Sequence, residues 1–219
     1  MITAEACIEA VKLNGIAGGF EIMADMAAEP TVISNRGYLL AAESMVNLTN
    51  LRVYADGNRY AWSDCIAENV HDPILERNGI RVFKILELPE TSNPCDELRL
   101  FIDRWVLGCR LGIAFRMLER LMSHLSNRVS FGQKTHQHQM IKQAVSEFLV
   151  IFTSLRTQLD MPTLTSVDRK YMHEELDLGM KTITRLMGGH GFLSGGIHDD
   201  GYISDFIKIL YRMEHDQDG

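Results

Sequence analysis

Residues 128–139 read RVSFGQKTHQHQ, and residues 187–192 read MGGHGF. Each stretch lies between two segments whose apolar residues recur at helical spacing. Taken alone, the first stretch fits a surface charge and a core anchor at a helix end. The second fits a turn, because glycine adopts backbone angles that other residues avoid, and it lacks the Lys-Ser/Thr of a phosphate-binding P-loop. The order and separation of the two stretches therefore carry more information than either one alone.

The segments around these stretches predict four helices in sequence with short connections. The apolar positions of the first are Leu98, Phe101, Ile102, Trp105, Cys109, Phe115, Leu118, Met122 and Leu125. A second stripe runs from Ile141 to Leu155. Pro162 ends it, and Thr165 is placed to cap a third helix that runs to about Met187. Asp199 and Asp200 precede the fourth, so residues 95–219 are predicted to form an up-and-down four-helix bundle in a mainly α protein.

Residues 1–94 follow another pattern and predict a short helix and a partial β domain. The helix spans about Thr3 to Leu13 and stops at Asn14-Gly15, and Gly18-Gly19 breaks the helical pattern again. The pair Asp56-Gly57 between two apolar runs predicts a hairpin, and residues 79–88 predict a further strand. Pro89 and Pro94 mark a linker.

Composition narrows the class of protein. The chain has 219 residues, 46% of them hydrophobic, which suffices for a substantial core. A net charge of −7 excludes the basic surface that nucleic-acid binding requires. No apolar run reaches the roughly 18–20 residues of a membrane span. Four scattered cysteines without CxxC spacing favour free thiols and a cytoplasmic protein. The eight histidines show no metal-ligand spacing, so we expect no metal site.

Together the two quoted motifs resemble the C-terminal helical bundle of the acyl-CoA dehydrogenase family. The resemblance implies that Arg128 and Gln139 hold the diphosphate and adenine end of FAD, that Phe131 contributes to this site, and that Gly188 and Gly189 let the cofactor lie against backbone. These residue types suit those roles, since arginine offers a fork of donors and glycine removes the side chain. In the family the arginine reaches the FAD of a neighbouring subunit, which implies a homo-oligomer or a hetero-oligomer with a related subunit.

The β region is similar to the middle domain of the same family. The resemblance places Thr49 at the flavin, although Asn47 stands where the family has an aromatic residue. It also implies that the large N-terminal helical domain and part of the β domain are absent. Near the second motif, Arg185 replaces a glutamine of the family, and an arginine could serve a phosphate.

In this sequence the position of the family's catalytic glutamate does not hold a glutamate. Its usual sequence aligns with LYRMEHD, which puts Arg212 at the carboxylate position and Glu214 nearby. A subset of the family carries the glutamate on the first bundle helix, and there Asp103 resembles it if one residue is deleted. Without the gap the position is Ile102. An aspartate can act as a general base, so the resemblance proposes Asp103 for this role.

Three functions remain open at this stage. The first is a shortened flavoprotein that uses FAD for α,β-dehydrogenation of an acyl thioester, carried on coenzyme A or a carrier protein. The second is a non-catalytic subunit or pseudoenzyme that assembles with a full-length partner of the same family. The third is flavin-free chemistry on a carrier-bound substrate, which no residue of the sequence specifically supports.

Overall fold

The computed structural model describes residues 4–26, 29–90, 93–94, 97–193 and 195–211. Two helices precede the sheet, α1 Ala4–Asn14 and α2 Ile16–Met26. The strands of the sheet are β1 Thr31–Asn35, β2 Tyr38–Ala42, β3 Arg52–Ala55, β4 Asn58–Ala61, β5 Ile66–Val70, β6 Ile80–Glu87 and β7 Asn93–Pro94. A short helix, α3 Pro73–Arg77, lies between β5 and β6. The second half contains α4 Glu97–Asn127, β8 Val129–Ser130, β9 Gln133–Lys134, α5 Gln139–Leu159, α6 Ser166–Leu186 and α7 Ile197–Tyr211.

Seven strands form one sheet in the order β5-β6-β2-β1-β3-β4-β7. Only the β1–β3 pair is parallel among the pairs that the structure describes. The predicted hairpin is confirmed, because Asp56 and Gly57 join β3 to β4 with φ values of 49° and 80°. The predicted strand at residues 79–88 is also confirmed as β6.

The predicted four-helix bundle is confirmed, with α4 packed against α5, α6 and α7. Thr165 caps α6 through a capping box with Asp168. A fifth helix, α1, also packs along α4. Gly112 permits this approach, because a Cβ there would lie 2.8 Å from the carbonyl oxygen of Ile8. Helix α4 is therefore covered on most sides, which explains its apolar residues around the whole circumference.

The predicted break at Gly18-Gly19 is wrong, because both residues lie inside α2. A Cβ at Gly19 would lie 2.7 Å from the Sγ of Cys109, and one at Gly18 would lie 2.8 Å from the carbonyl oxygen of Ala10. The close contact of α2 with α1 and α4 requires residues without side chains. Packing thus outweighs the cost of about 1 kcal/mol that glycine imposes inside a helix.

Three aromatic residues join the sheet to the bundle, and we call Phe20, Trp105 and Tyr211 the aromatic junction. The rings of Phe20 and Trp105 lie 4.9 Å apart, and those of Trp105 and Tyr211 lie 5.4 Å apart. The Trp105 indole donates to the carbonyl of Gly19 at 2.8 Å. The Tyr211 hydroxyl donates to the carbonyl of Ile33 at 3.1 Å, and burial raises its pKa. All three rings are almost fully excluded from solvent.

The buried apolar residues of α1, α2, the sheet and the bundle belong to one continuous cluster. The predicted division between domains falls between β7 and α4. Within the described part of the chain, no helix combines the length and apolar character that crossing a bilayer demands.

Candidate functional site

The first motif forms a small hairpin at the end of α4. Strands β8 and β9 pair antiparallel around a two-residue turn made by Phe131 and Gly132. Both residues have positive φ, 51° and 79°, as in the type I′ turns that suit hairpins. The Phe131 side chain is 100% exposed. An aromatic residue in this conformation costs about 1–3 kcal/mol, so the surroundings must hold the turn in place.

His138 directly follows the 3₁₀ turn Thr135–Gln137, and its imidazole contacts both strands of the hairpin. Its Nε2 lies 3.1 Å from the carbonyl oxygen of Ser130 and 2.8 Å from the Ser130 hydroxyl. Its Nδ1 lies 2.9 Å from the side-chain amide nitrogen (Nε2) of Gln133. Because a carbonyl oxygen only accepts, Nε2 carries the hydrogen in the contact with the Ser130 carbonyl.

The structure brings the second motif to the same end of the bundle. It forms a 3₁₀ turn, Gly188–Phe192, directly after α6. The His190 ring lies 4.7 Å from the ring of His124 in the last turns of α4. Burial lowers the pKa of His124, and the nearby His190 and Arg128 lower it further. Arg128 and the glycine turn therefore face a common region.

This common region is open to solvent. Arg128 and Gln139 are exposed, and Gln139 is the first residue of α5. A Cβ added at Gly188 or Gly189 would have no atom within 4 Å, so the backbone there is accessible to a ligand. We call Arg128, the hairpin 129–134, Gln139 and the turn 188–192 the bundle-end site. Its arginine fork, amide side chain and bare glycine backbone fit a dinucleotide diphosphate and its base.

Apolar side chains are also exposed at the bundle end. Those with more than half of their surface accessible are Val129 67%, Phe131 100%, Met140 83%, Phe192 66% and Leu193 58%. They lie on the hairpin, the first turn of α5 and the glycine turn. Large exposed apolar residues gathered at one end of a protein are typical of interaction surfaces.

The two residues predicted for the flavin end lie in different layers of the fold. Thr49 is exposed in the turns between β2, which ends at Ala42, and β3. Asp103 lies on α4 and pairs with Arg169 of α6, with 3.3 Å between Oδ2 and Nε. Ile102, the alternative register, is buried. Arg212 and Glu214 lie outside the described residues.

A buried charge network between α4, α6 and α7 was missed. Arg110 has no exposed surface, and it contacts Asp177, the Ser204 hydroxyl at 2.9 Å and the His173 Nδ1 at 2.6 Å. Burial lowers the pKa of Arg110, although Asp177 opposes this shift. Burial also raises the pKa of Asp177, but bonds from Lys208 and Arg110 outweigh it and the net pKa is lowered. An arginine within the apolar stretch WVLGCRLGIA was the signal for this network.

Two further predictions concern the region between α6 and α7. Helix α7 begins at Ile197, so Asp199 and Asp200 occupy its first turn rather than preceding it. Arg185 is exposed and lines a groove of about 380 Å³ together with Phe192, His198 and Tyr202. Burial, with a bond to Asp72, raises the pKa of Tyr202 to about 12. The groove adjoins the bundle-end site through Phe192.

Comparison with solved structures identifies the fold. The glutaryl-CoA dehydrogenase from Mycobacterium smegmatis in complex with FADH2 is similar over 95% of this chain and 75% of its own, with a TM-score of 0.60 and 11% sequence identity. The acyl-CoA dehydrogenase from Geobacillus kaustophilus is similar over 83% of this chain and 60% of its own, with a TM-score of 0.52 and 10% identity.

A steroid ACAD variant named Tcur3481-Tcur3483 is similar over 81% of this chain and 57% of its own, with a TM-score of 0.57 and 16% identity. The chain thus spans less than two thirds of two of these three structures. No protein-family model and no curated protein matches the sequence. At such identities the likeness shows the fold alone: the chain has a mainly α, acyl-CoA dehydrogenase-like fold.

Proposed function

We propose that this chain is an FAD-binding subunit of an acyl-CoA dehydrogenase-like flavoprotein. The observation that supports it is the meeting of two distant motifs at the bundle-end site, where Arg128 and the backbone of Gly188 and Gly189 are open to a ligand. In this proposal Arg128 binds the diphosphate, Gln139 binds the adenine, and Phe131 covers the nucleotide. The structurally similar glutaryl-CoA dehydrogenase contains FADH2, which agrees with this cofactor.

The proposed subunit acts in an oligomer. Arg128 would bind FAD held mainly by a neighbouring chain, and the exposed apolar residues around Phe131 would be covered by that neighbour. The neighbour is a second copy or a related, longer subunit. A shared cofactor explains why a binding surface lies at the outer end of the bundle rather than inside it.

The proposed reaction is α,β-dehydrogenation of an acyl thioester. FAD supplies the acceptor for the hydride that leaves the β-carbon. Asp103 is the proposed base, which takes the α-proton onto a carboxylate oxygen as the double bond forms. For this role the Arg169 guanidinium must leave Oδ2, or Asp103 must use its second oxygen. Thr49 is proposed to contact the flavin ring.

A specific observation favours a second candidate, the non-catalytic subunit. Asp103 is held by Arg169, and the aromatic junction fills the space between the sheet and the bundle with packed rings. In this alternative the chain contributes the bundle-end site to the FAD of a longer partner, and that partner provides the base.

FAD titration of the purified protein tests the binding proposal. We expect FAD and ADP to bind, and Arg128→Ala to weaken both by about 10- to 100-fold through loss of charged hydrogen bonds. The matched control is Lys142→Ala, an exposed cation one turn into α5, which should bind like wild type. Failure of wild type to bind either ligand, alone or with a co-purified partner, contradicts the proposal.

Activity measurements separate the two candidates. If Asp103 is the base, Asp103→Asn abolishes turnover while FAD affinity stays unchanged. If the chain is a non-catalytic subunit, Asp103→Asn leaves the activity of the complex intact and Arg128→Ala reduces its flavin content. The mass of the native assembly shows whether a second copy or a different chain is the neighbour.

A further inference from the structure

The bundle-end hairpin is too short to hold its own conformation. Each strand contributes two residues, and a two-stranded hairpin is marginal in water even when it is longer. Its turn places Phe131 at a φ of 51° with the side chain fully exposed, so burial of that ring does not compensate for the backbone strain. Another group must therefore fix the turn.

The side chains beneath the hairpin supply that group. From His138, a series of hydrogen bonds leads back to Arg128. The His138 Nε2 contacts the Ser130 carbonyl at 3.1 Å and the Ser130 hydroxyl at 2.8 Å, and that hydroxyl lies 3.1 Å from the Thr135 hydroxyl. The Thr135 hydroxyl donates to the Arg128 carbonyl at 3.1 Å, and the Thr135 backbone amide donates to the same oxygen at 2.8 Å. Thr135 thereby holds the backbone carbonyl of Arg128 with two hydrogen bonds.

The other side of the imidazole completes the clamp. The Gln133 amide donates to His138 Nδ1, so one ring bonds to both strands of the hairpin. The rings of Phe131 and His138 meet edge to face at 6.2 Å. Binding residues that are held before the ligand arrives lose less entropy on binding. The hydrogen bonds of His138 hold the strained, exposed turn before a ligand arrives, and this is a form of preorganisation.

We propose that His138, acting with Thr135, is a positioning residue that preorganises Arg128 and Phe131 for the dinucleotide. It touches the hairpin, not the ligand. The proposal rests on FAD binding at the bundle-end site and adds a residue that neither motif resemblance nor spacing indicated. Its consequence is that the affinity for FAD depends on a side chain whose removal takes away no ligand contact.

The test compares His138→Ala with His136→Ala. His136 is also a histidine, it lies in the 3₁₀ turn directly before His138, and it has no described bond to the hairpin. FAD and ADP affinities are measured by titration, with circular dichroism and thermal melting as checks of folding. We expect His138→Ala to weaken both ligands by about tenfold, and His136→Ala to leave them unchanged. His138→Gln, whose amide both donates and accepts, should recover most of the affinity.

A double mutant identifies action through Arg128. In the Arg128→Ala background, His138→Ala should weaken FAD binding by clearly less than the about tenfold expected in wild type, because Arg128, one of the two residues that it positions, is gone. Should replacement at residue 138 prevent folding, Thr135→Val removes the hydroxyl's bonds to the Arg128 carbonyl and to Ser130 while the backbone amide bond remains, and Thr135→Ser restores the hydroxyl, with the same expected pattern.

The outcomes separate this inference from the proposed function. If wild type binds FAD and His138→Ala binds equally well, or if its effect adds fully to that of Arg128→Ala, His138 is not a positioning residue and the inference alone fails. If wild type binds neither FAD nor ADP, the proposed function fails and this inference fails with it.

Discussion

Helix α4 and the segment that directly follows it differ in their exposure to solvent. The first half of the helix is enclosed: Trp105 and Arg110 have no exposed surface and bond to α2, α6 and α7. Its last turn leads directly into Arg128 and the hairpin, where Phe131 is fully exposed. The difference separates residues that stabilise the core from residues that are proposed to bind FAD. Residues near the start of α4 exclude water from the core, and residues past its end remain open for a ligand.

The largest expected effect is at the enclosed half. Trp105→Ala removes a fully buried ring and its bond to Gly19, and should lower the free energy of unfolding by about 3–5 kcal/mol. Urea denaturation measures it. The chain's other tryptophan, Trp62, is only partly buried, so Trp62→Ala is the control with a smaller loss. Equal losses of unfolding free energy from the two substitutions would show that the deeper burial of Trp105 adds no stability.

The buried charge network gives the next effect and a dependence on pH. Asp177→Asn should destabilise the protein by about 1.5–3 kcal/mol at pH 7, because Arg110 then lacks its anion. The folded-state pKa of Asp177 lies below its ordinary value of 3.8, so this stabilisation is present above pH 3.8 and disappears as the pH falls through the folded-state pKa.

Unfolding curves between pH 7 and pH 3 check the Asp177 prediction. The difference between wild type and Asp177→Asn should shrink at the acid end of this range and continue to fall below it. Asp205→Asn is the comparison, because Asp205 is exposed on α7 and acts on Arg110 only through space, so its replacement should cost less. A difference that grows on acidification would contradict the assigned sign.

At the open end, stability and binding should change in opposite directions. Phe131→Gly relieves the positive φ and should stabilise the free protein by about 0.5–1 kcal/mol, while it weakens FAD binding. Gly132→Ala, at a φ of 79° in the same turn, should destabilise it by about 1 kcal/mol. Thermal melting and FAD titration measure the two quantities. A Phe131→Gly protein that is less stable than wild type argues against backbone strain in the turn.

The smallest effect on stability is expected at Arg128. Its side chain is exposed and precedes the hairpin, so Arg128→Ala should change the free energy of unfolding by no more than about 0.5 kcal/mol in the absence of FAD. The loss of ligand affinity should come without a change in the melting temperature. A large drop in melting temperature would show that the arginine stabilises the bundle itself.

Local patterns were sufficient for the bundle helices, one hairpin and one further strand. Helical periodicity and the capping signal at Thr165 predicted α4 to α7, and Asp56-Gly57 predicted its hairpin, because these signals depend on neighbours in sequence. The same reasoning failed at Gly18-Gly19, where contact with Cys109 decides the structure. It also missed the role of Arg110, since its partners stand more than sixty positions away on α6 and α7.

The sequence by itself determined the fold class, the order of the bundle helices and the two motifs that name the FAD-binding candidates. Only the tertiary structure decided that those motifs meet, that Asp103 pairs with Arg169, and that His138 supports the turn at Phe131. The physical reason is range. Periodicity and capping are fixed within a few residues, whereas the joining of His124 to His190 depends on how α4 and α6 pack across the bundle.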